Sequence, residues 1–189
     1  FTDMDIFSPN INLLGSRDYS VMLSDSGAGM SVSGEILVAG EEIETGHEEG
    51  IYFFIIDRDN DKVHSMTYAP FYEEDGHYRT VFTPHCTRFE CEFEDLKGNV
   101  EVIGGAGGKY ELRRFELYNK GKTERRFDIC VYFEPVLNES ADYKSHPVFS
   151  DMFLEITEGR EENSIIIRRR SRGGEKKDCF GAFVPFGVL

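Results

Sequence analysis

Thr87-Arg88-Phe89-Glu90-Cys91-Glu92-Phe93-Glu94 decides the fold class. Thr87, Phe89, Cys91 and Phe93 alternate with Arg88, Glu90, Glu92 and Glu94, a period of two that gives an extended chain one apolar and one charged face. A helix would scatter those charges around its circumference, so a half-buried strand is predicted. Phe127, Ile129, Val131 and Phe133 repeat the pattern against Arg126, Asp128 and Glu134. Strands are also predicted over 19–24, 31–39, 51–57, 62–67, 77–83, 99–104, 110–119, 164–170 and 179–185. Within 110–119 the apolar phase slips between Leu112 and Phe115, which predicts a β-bulge.

Turn chemistry separates these runs at Asp59-Asn60-Asp61, Glu74-Asp75-Gly76, Lys97-Gly98-Asn99, Asn119-Lys120-Gly121 and Arg172-Gly173-Gly174. No 12-residue stretch carries an apolar stripe of helical period. Short strands with hairpin-length connections imply an all-β, large antiparallel β-sandwich rather than a βαβ fold. No Pro-rich or Ser-rich linker interrupts the chain, so residues 1–189 are read as a single domain.

Composition narrows the function classes. With 21 Lys+Arg against 35 Asp+Glu in 189 residues the net charge is -14, which opposes nucleic acid and anionic membrane as partners. Hydrophobic and aromatic fractions of 40% and 13% supply enough apolar surface for a folded core. No apolar run approaches the roughly 18 residues of a membrane helix. Cys86, Cys91, Cys130 and Cys179 form no CxxC pair, so neither a zinc site nor a disulfide scaffold is expected. Free thiols and the lack of a signal-like N-terminus suggest a cytoplasmic location. The opening residue, Phe1, suggests a piece of a longer chain.

Two glycine-rich segments resemble phosphate loops and fail. In Gly104-Gly105-Ala106-Gly107-Gly108-Lys109 the first glycine of GxxxxGK falls on Ile103, and Tyr110 replaces the Ser/Thr. In Gly27-Ala28-Gly29 the third glycine of GxGxxG is Val32. The acidic stretch Glu41, Glu42, Glu44, Glu48 and Glu49 around His47 reads as a solvated loop. His85-Cys86 with Cys91 makes no metal or nucleophile site, because positions 86 and 91 fall on opposite faces of a strand. Arg168, Arg169, Arg170, Arg172, Lys176 and Lys177 form a local basic run. In a strand over 164–170, Arg169 shares a face with Ile165 and Ile167, which suggests a carboxylate partner or a domain contact.

Asp142-Tyr143-Lys144-Ser145-His146-Pro147-Val148-Phe149-Ser150 breaks the alternation and is predicted as an ordered loop. Rings, an imidazole and hydroxyls suit sugar binding, where aromatic faces meet pyranose rings and polar groups meet hydroxyls. Tyr143, His146, Phe149 and Arg169 are therefore the candidate carbohydrate-facing or domain-interface residues.

Several segments in order resemble one family. Residues 13–29, beginning Leu13-Leu14-Gly15-Ser16-Arg17-Asp18-Tyr19, are similar to the opening strand pair of glycoside hydrolase family 94. Tyr52-Phe53-Phe54-Ile55-Ile56-Asp57, Ser65-Met66-Thr67-Tyr68-Ala69-Pro70 and Tyr110-Glu111-Leu112-Arg113-Arg114-Phe115 keep the family's order. Ser145-His146-Pro147-Val148-Phe149-Ser150 looks like the His-Pro-x-Phe-Ser segment of the branch that holds β-1,2-oligoglucan phosphorylases and the phosphorylase-like part of cyclic β-1,2-glucan synthases. The resemblance runs from about residue 9 to about residue 183.

That resemblance implies a supersandwich of galactose mutarotase-like type, joined in the whole enzyme to an (α/α)6 barrel. In the family the barrel supplies an Asp general acid, and inorganic phosphate, as co-substrate, attacks the anomeric carbon with inversion. No catalytic residue, metal or cofactor is then expected in these 189 residues. The implied partners are a β-glucan oligosaccharide, the barrel of the same chain and a second subunit in a homodimer. The sequence departs from the family after Met30, where an Arg-rich segment gives way to the acidic stretch at 41–49. Trp is absent, so Tyr or Phe must supply any sugar platform. A free-standing carbohydrate-binding module is the alternative. A sugar epimerase would need a His paired with a carboxylate, and no such pair stands out.

Overall fold

The structure, a computed structural model, describes residues 1–5, 7–40, 49–105, 107–161, 163–171 and 177–187. It is all-β, with strands β1 (Ile11–Gly15), β2 (Ser20–Ser24), β3 (Gly29–Ser33), β4 (Ile36–Gly40), β5 (Tyr52–Asp57), β6 (Lys62–Ser65), β7 (His77–Phe82), β8 (Thr87–Phe93), β9 (Leu96–Gly104), β10 (Glu111–Asn119), β11 (Phe127–Tyr132) and β12 (Pro135–Glu139). Two short helices follow, α1 (Ser140–Ser145) and α2 (Pro147–Asp151), then β13 (Leu154–Glu158), β14 (Ile165–Arg169) and β15 (Cys179–Phe183). The strands pair antiparallel in the orders β1-β2-β3-β4-β12, β10-β9-β8-β7, β11-β5-β6 and β13-β14-β15.

The alternation read at β8 sets the core. Phe89, Cys91 and Phe93 are buried with Val100 and Val102 of β9, and they pack on Leu14, Val21 and Leu23 of the first sheet and on Phe53 and Ile55 of β5. Each such aliphatic or aromatic side chain contributes about 1.5–3 kcal/mol on burial. A second cluster joins Leu37, Val136 and Tyr143 on the other side of the first sheet. The charged face of β8 pairs across the sheet instead. Arg79 reaches Glu90 at 3.4 Å, and Glu101 takes Arg88 at 3.0 Å and Arg114 at 3.1 Å. The Arg88 hydrogen bond, against the cost of burial, holds the Glu101 carboxyl below its ordinary pKa.

Three expectations are corrected. The run over 31–39 is two strands, because Ser33 pairs with Ile36 across a turn in which Gly34 takes a φ of +62°. Lys97-Gly98-Asn99 lies inside β9, and the chain turns at Glu94-Asp95 instead. A Cβ on Gly98 would sit 2.6 Å from Cys91 Sγ, so the glycine is there for close packing rather than for a turn. The bulge predicted in β10 is absent, since β10 pairs with β9 in unbroken register from Glu111 to Asn119. The apolar slip arises because Glu111 and Arg113 occupy inward positions. There Arg113 Nη1 donates to the Ile51 carbonyl at 3.0 Å, and Ser31 Oγ donates to Glu111 at 3.1 Å.

Thiol chemistry checks this packing. Cys91 is buried, and burial pushes its thiol up to about 12, whereas Cys130 is exposed. Iodoacetamide in mildly alkaline buffer should modify Cys130 in the folded protein and reach Cys91 only after denaturation, as read by peptide mass spectrometry. Labelling of Cys91 in the folded state would contradict the core described.

Candidate functional site at the α1 and α2 surface

The segment predicted as a loop is the helix pair α1 and α2, broken at His146 by Pro147, which begins α2. The structure brings Tyr143, His146, Phe149 and Arg169 to this region at two depths. Tyr143 is 5% exposed and packs with Leu37 and Val136, so its ring presents no open face. His146 is exposed at the break, where its N–H donates to the Tyr143 carbonyl at 3.1 Å and its carbonyl accepts from Ser150 at 2.9 Å. Phe149 is exposed and meets Phe153 edge-on at 5.4 Å. Val148 and Met152 on either side of it in the chain, and Ile156 on β13, are exposed apolar side chains as well.

Arg169 lies beneath, on the face shared with Ile165 and Ile167 as predicted, and is 7% exposed. Its guanidinium donates to the Val136 carbonyl at 3.2 Å and to Ser150 Oγ at 2.7 Å, and stands 5.9 Å from the Phe153 ring. It ties β14 to β12 and α2. The neighbouring arginines are engaged as well. Arg168 donates to Asp178 at 2.6 Å and Glu155 at 3.1 Å, and Arg170 pairs with Glu155 at 3.0 Å. Arg172 and Lys176 lie outside the described residues, as does the acidic stretch from Glu41 to Glu48 with His47. Asp151, at the end of α2, has its carboxyl pKa raised by burial and by the neighbouring Glu134 charge.

A His–carboxylate pair that sequence did not single out is present. His64 Nδ1 lies 2.9 Å from Glu73 Oε2, and the imidazole stacks on Phe93 with centroids 4.4 Å apart. The two lie nine positions apart in the chain, so no motif spacing announced them. The glycine run at 104–108 lies at the β9–β10 connection, where Gly105 N–H donates to the Tyr110 carbonyl at 2.8 Å. Among the described residues no group of three or more His, Cys, Asp or Glu is placed to hold a metal ion, and no helix is long and apolar enough to cross a membrane.

Antiparallel sheets stacked over buried aliphatic and aromatic layers, with a helix pair on the outer side of the first sheet, define the class as a large β-sandwich. The chain belongs to the glycosyl hydrolase 94 supersandwich domain family, whose model matches residues 1–186. It is 30% identical over 161 residues, 85% of its length, to the cyclic beta-(1,2)-glucan synthase NdvB of Rhizobium meliloti (strain 1021). The chain spans 6% of that relative's length.

Proposed function

We propose that this chain is a single, non-catalytic N-terminal sandwich domain of an inverting, cytoplasmic glycoside phosphorylase. The whole enzyme would cleave β-1,2-linked glucan with inorganic phosphate to give glucose 1-phosphate. The observation that carries the reading is the family match over 1–186 joined to a relative named for β-(1,2)-glucan and far longer than this chain. The sandwich shapes the substrate cleft and supports contacts with an (α/α)6 barrel of the same chain and with a second subunit. The exposed Val148, Phe149, Met152 and Ile156 surface is consistent with such a contact. The chain incubated with sophoro-oligosaccharides and phosphate should release no glucose 1-phosphate, while the longer parent enzyme should release it. Turnover by the 189 residues would overturn the division of labour, and hydrolysis without phosphate dependence by the parent would overturn the phosphorylase reading. A free-standing carbohydrate-binding module is the second reading, favoured by aromatic rings left exposed on the surface.

A further inference from the structure

The β11-β5-β6 sheet breaks the rule that the outward face of an antiparallel strand is polar. Its inward positions, Phe53, Ile55, Ile129 and Val131, pack into the main core. Its opposite positions are largely apolar too, the exceptions being Asp128 of β11 opposite Ile56 and the buried Ser65 of β6 opposite Phe54. Phe54 and Ile56 of β5 lie in register with Cys130 of β11 and Val63 of β6 respectively, and Tyr132 follows two residues after Cys130 on the same face. Phe71, from the connection between β6 and β7, stacks on Phe54 with centroids 5.0 Å apart and planes 16° apart. Tyr132 lies 6.4 Å from Phe54 at 44°, and Tyr52 lies 6.2 Å from it at 25°. Phe71 is 44% exposed and Tyr132 47%, with Cys130 and Val63 exposed beside them.

We infer that Phe71 and Tyr132, seated on Phe54, form a platform that binds a neutral β-glucan chain by stacking its sugar rings. The choice of glucan as the sugar rests on the function proposed above; the choice of a neutral polyol rests on the site. Aromatic faces offer apolar area to the C–H face of a pyranose. The rim offers acceptors for its hydroxyls: Glu134, which takes the Tyr132 hydroxyl, and Asp128, which takes Arg58 Nε at 2.6 Å. The Arg58 guanidinium at this rim is paired to Asp128, and the chain carries a net charge of -14, so an anionic ligand is repelled. A neutral ligand rich in hydroxyl donors complements this rim.

Cys130 supplies a footprint that needs no mutation. It lies in register with Phe54, so a glucan on the platform covers its thiol. The unmodified chain is alkylated with iodoacetamide in the presence of β-1,2-, β-1,3-, β-1,4- or α-1,4-linked gluco-oligosaccharides, and rates at Cys130 and Cys179 are compared by mass spectrometry. A β-linked oligosaccharide should slow Cys130 in a saturable way, at low and high salt alike, and leave Cys179 unchanged. Phe71→Ala and Tyr132→Ala should each weaken that protection about tenfold, equivalent to about 1.4 kcal/mol, with melting temperatures near that of the parent chain, and Phe149→Ala should leave it intact. Protection by a β-glucan other than the β-1,2 form keeps the platform and removes the proposed linkage. Lack of protection by every oligosaccharide overturns the platform and leaves the phosphorylase reading to its own assay. Cys130 protection that rises with protein concentration alone, lost in both variants, would assign the face to self-association and overturn the inference.

Discussion

Asp57→Ala is expected to destabilise the fold by about 3–5 kcal/mol, the range for removing one partner of a buried ion pair. For a chain of this size that lowers the melting temperature by roughly 6–20 °C. Asp57 closes β5 and is fully buried, and its Oδ2 pairs with Arg125, whose guanidinium also lies 5.2 Å from the Phe127 ring. Its Oδ1 accepts the Asp59 N–H at 2.9 Å, which shapes the β5–β6 turn. Alanine leaves Arg125 with an uncompensated charge and frees the turn. Asp57→Asn keeps the acceptor and loses the charge, so about half the effect is expected.

The same site fixes the sign of the acid response. Burial opposes the charged form of Asp57, but the Asp59 N–H and the Arg125 hydrogen bond and charge outweigh it and hold the pKa below the ordinary 3.8. A carboxyl depressed by folding contributes stability that is complete above the unfolded pKa and lost as pH falls through the folded one. Urea unfolding from pH 7 downward should therefore show the parent chain losing stability below about pH 4. Asp57→Asn, already without the charge, should give a shallower slope there. Equal slopes would show that Asp57 is not held ionised by its partners.

Legibility from sequence followed how much of each element's environment was local. Strand β8 alternates cleanly because one face meets the core along its whole length, and the inward series Phe127, Ile129 and Val131 marks β11 although Cys130 and Tyr132 face outward. β10 misled because Glu111 and Arg113 face inward, toward Ser31 and the Ile51 carbonyl, which are distant in sequence. β12 was missed because it opens with Pro135 and carries a register shift before Asn138, with Leu137 at a φ of +49°. β1 and β13 escape the pattern because they are mostly exposed, with one buried residue in β1 and none in β13. At the candidate site, residue chemistry was legible and depth was not. Tyr143 and Phe149 are both aromatic and close in the chain, yet helix α1 turns one into a core cluster and α2 leaves the other in solvent. Phe71 and Tyr132 escaped notice because only the folding of the β6–β7 connection over β5 and the pairing of β11 with β5 bring them beside Phe54.

Arg169→Met is expected to cost about 2–4 kcal/mol, chiefly by leaving the Val136 carbonyl and the Ser150 hydroxyl buried without this donor. Methionine restores much of the volume, so the loss reports hydrogen bonding and charge rather than a cavity. Arg169→Lys keeps the charge but has no planar fork to reach two acceptors on different elements, and about half the loss is expected. The effect should be local before it is global, since these hydrogen bonds join β14 to β12 and α2, and the β10-β9-β8-β7 sheet is a separate one. Hydrogen exchange of the Arg169→Met chain should accelerate in α2 and β12 and stay unchanged in β8 and β9. Uniform acceleration would mean that Arg169 stabilises the whole sandwich. Unchanged exchange in α2 would remove it as the tie that holds the exposed Phe149 surface in place.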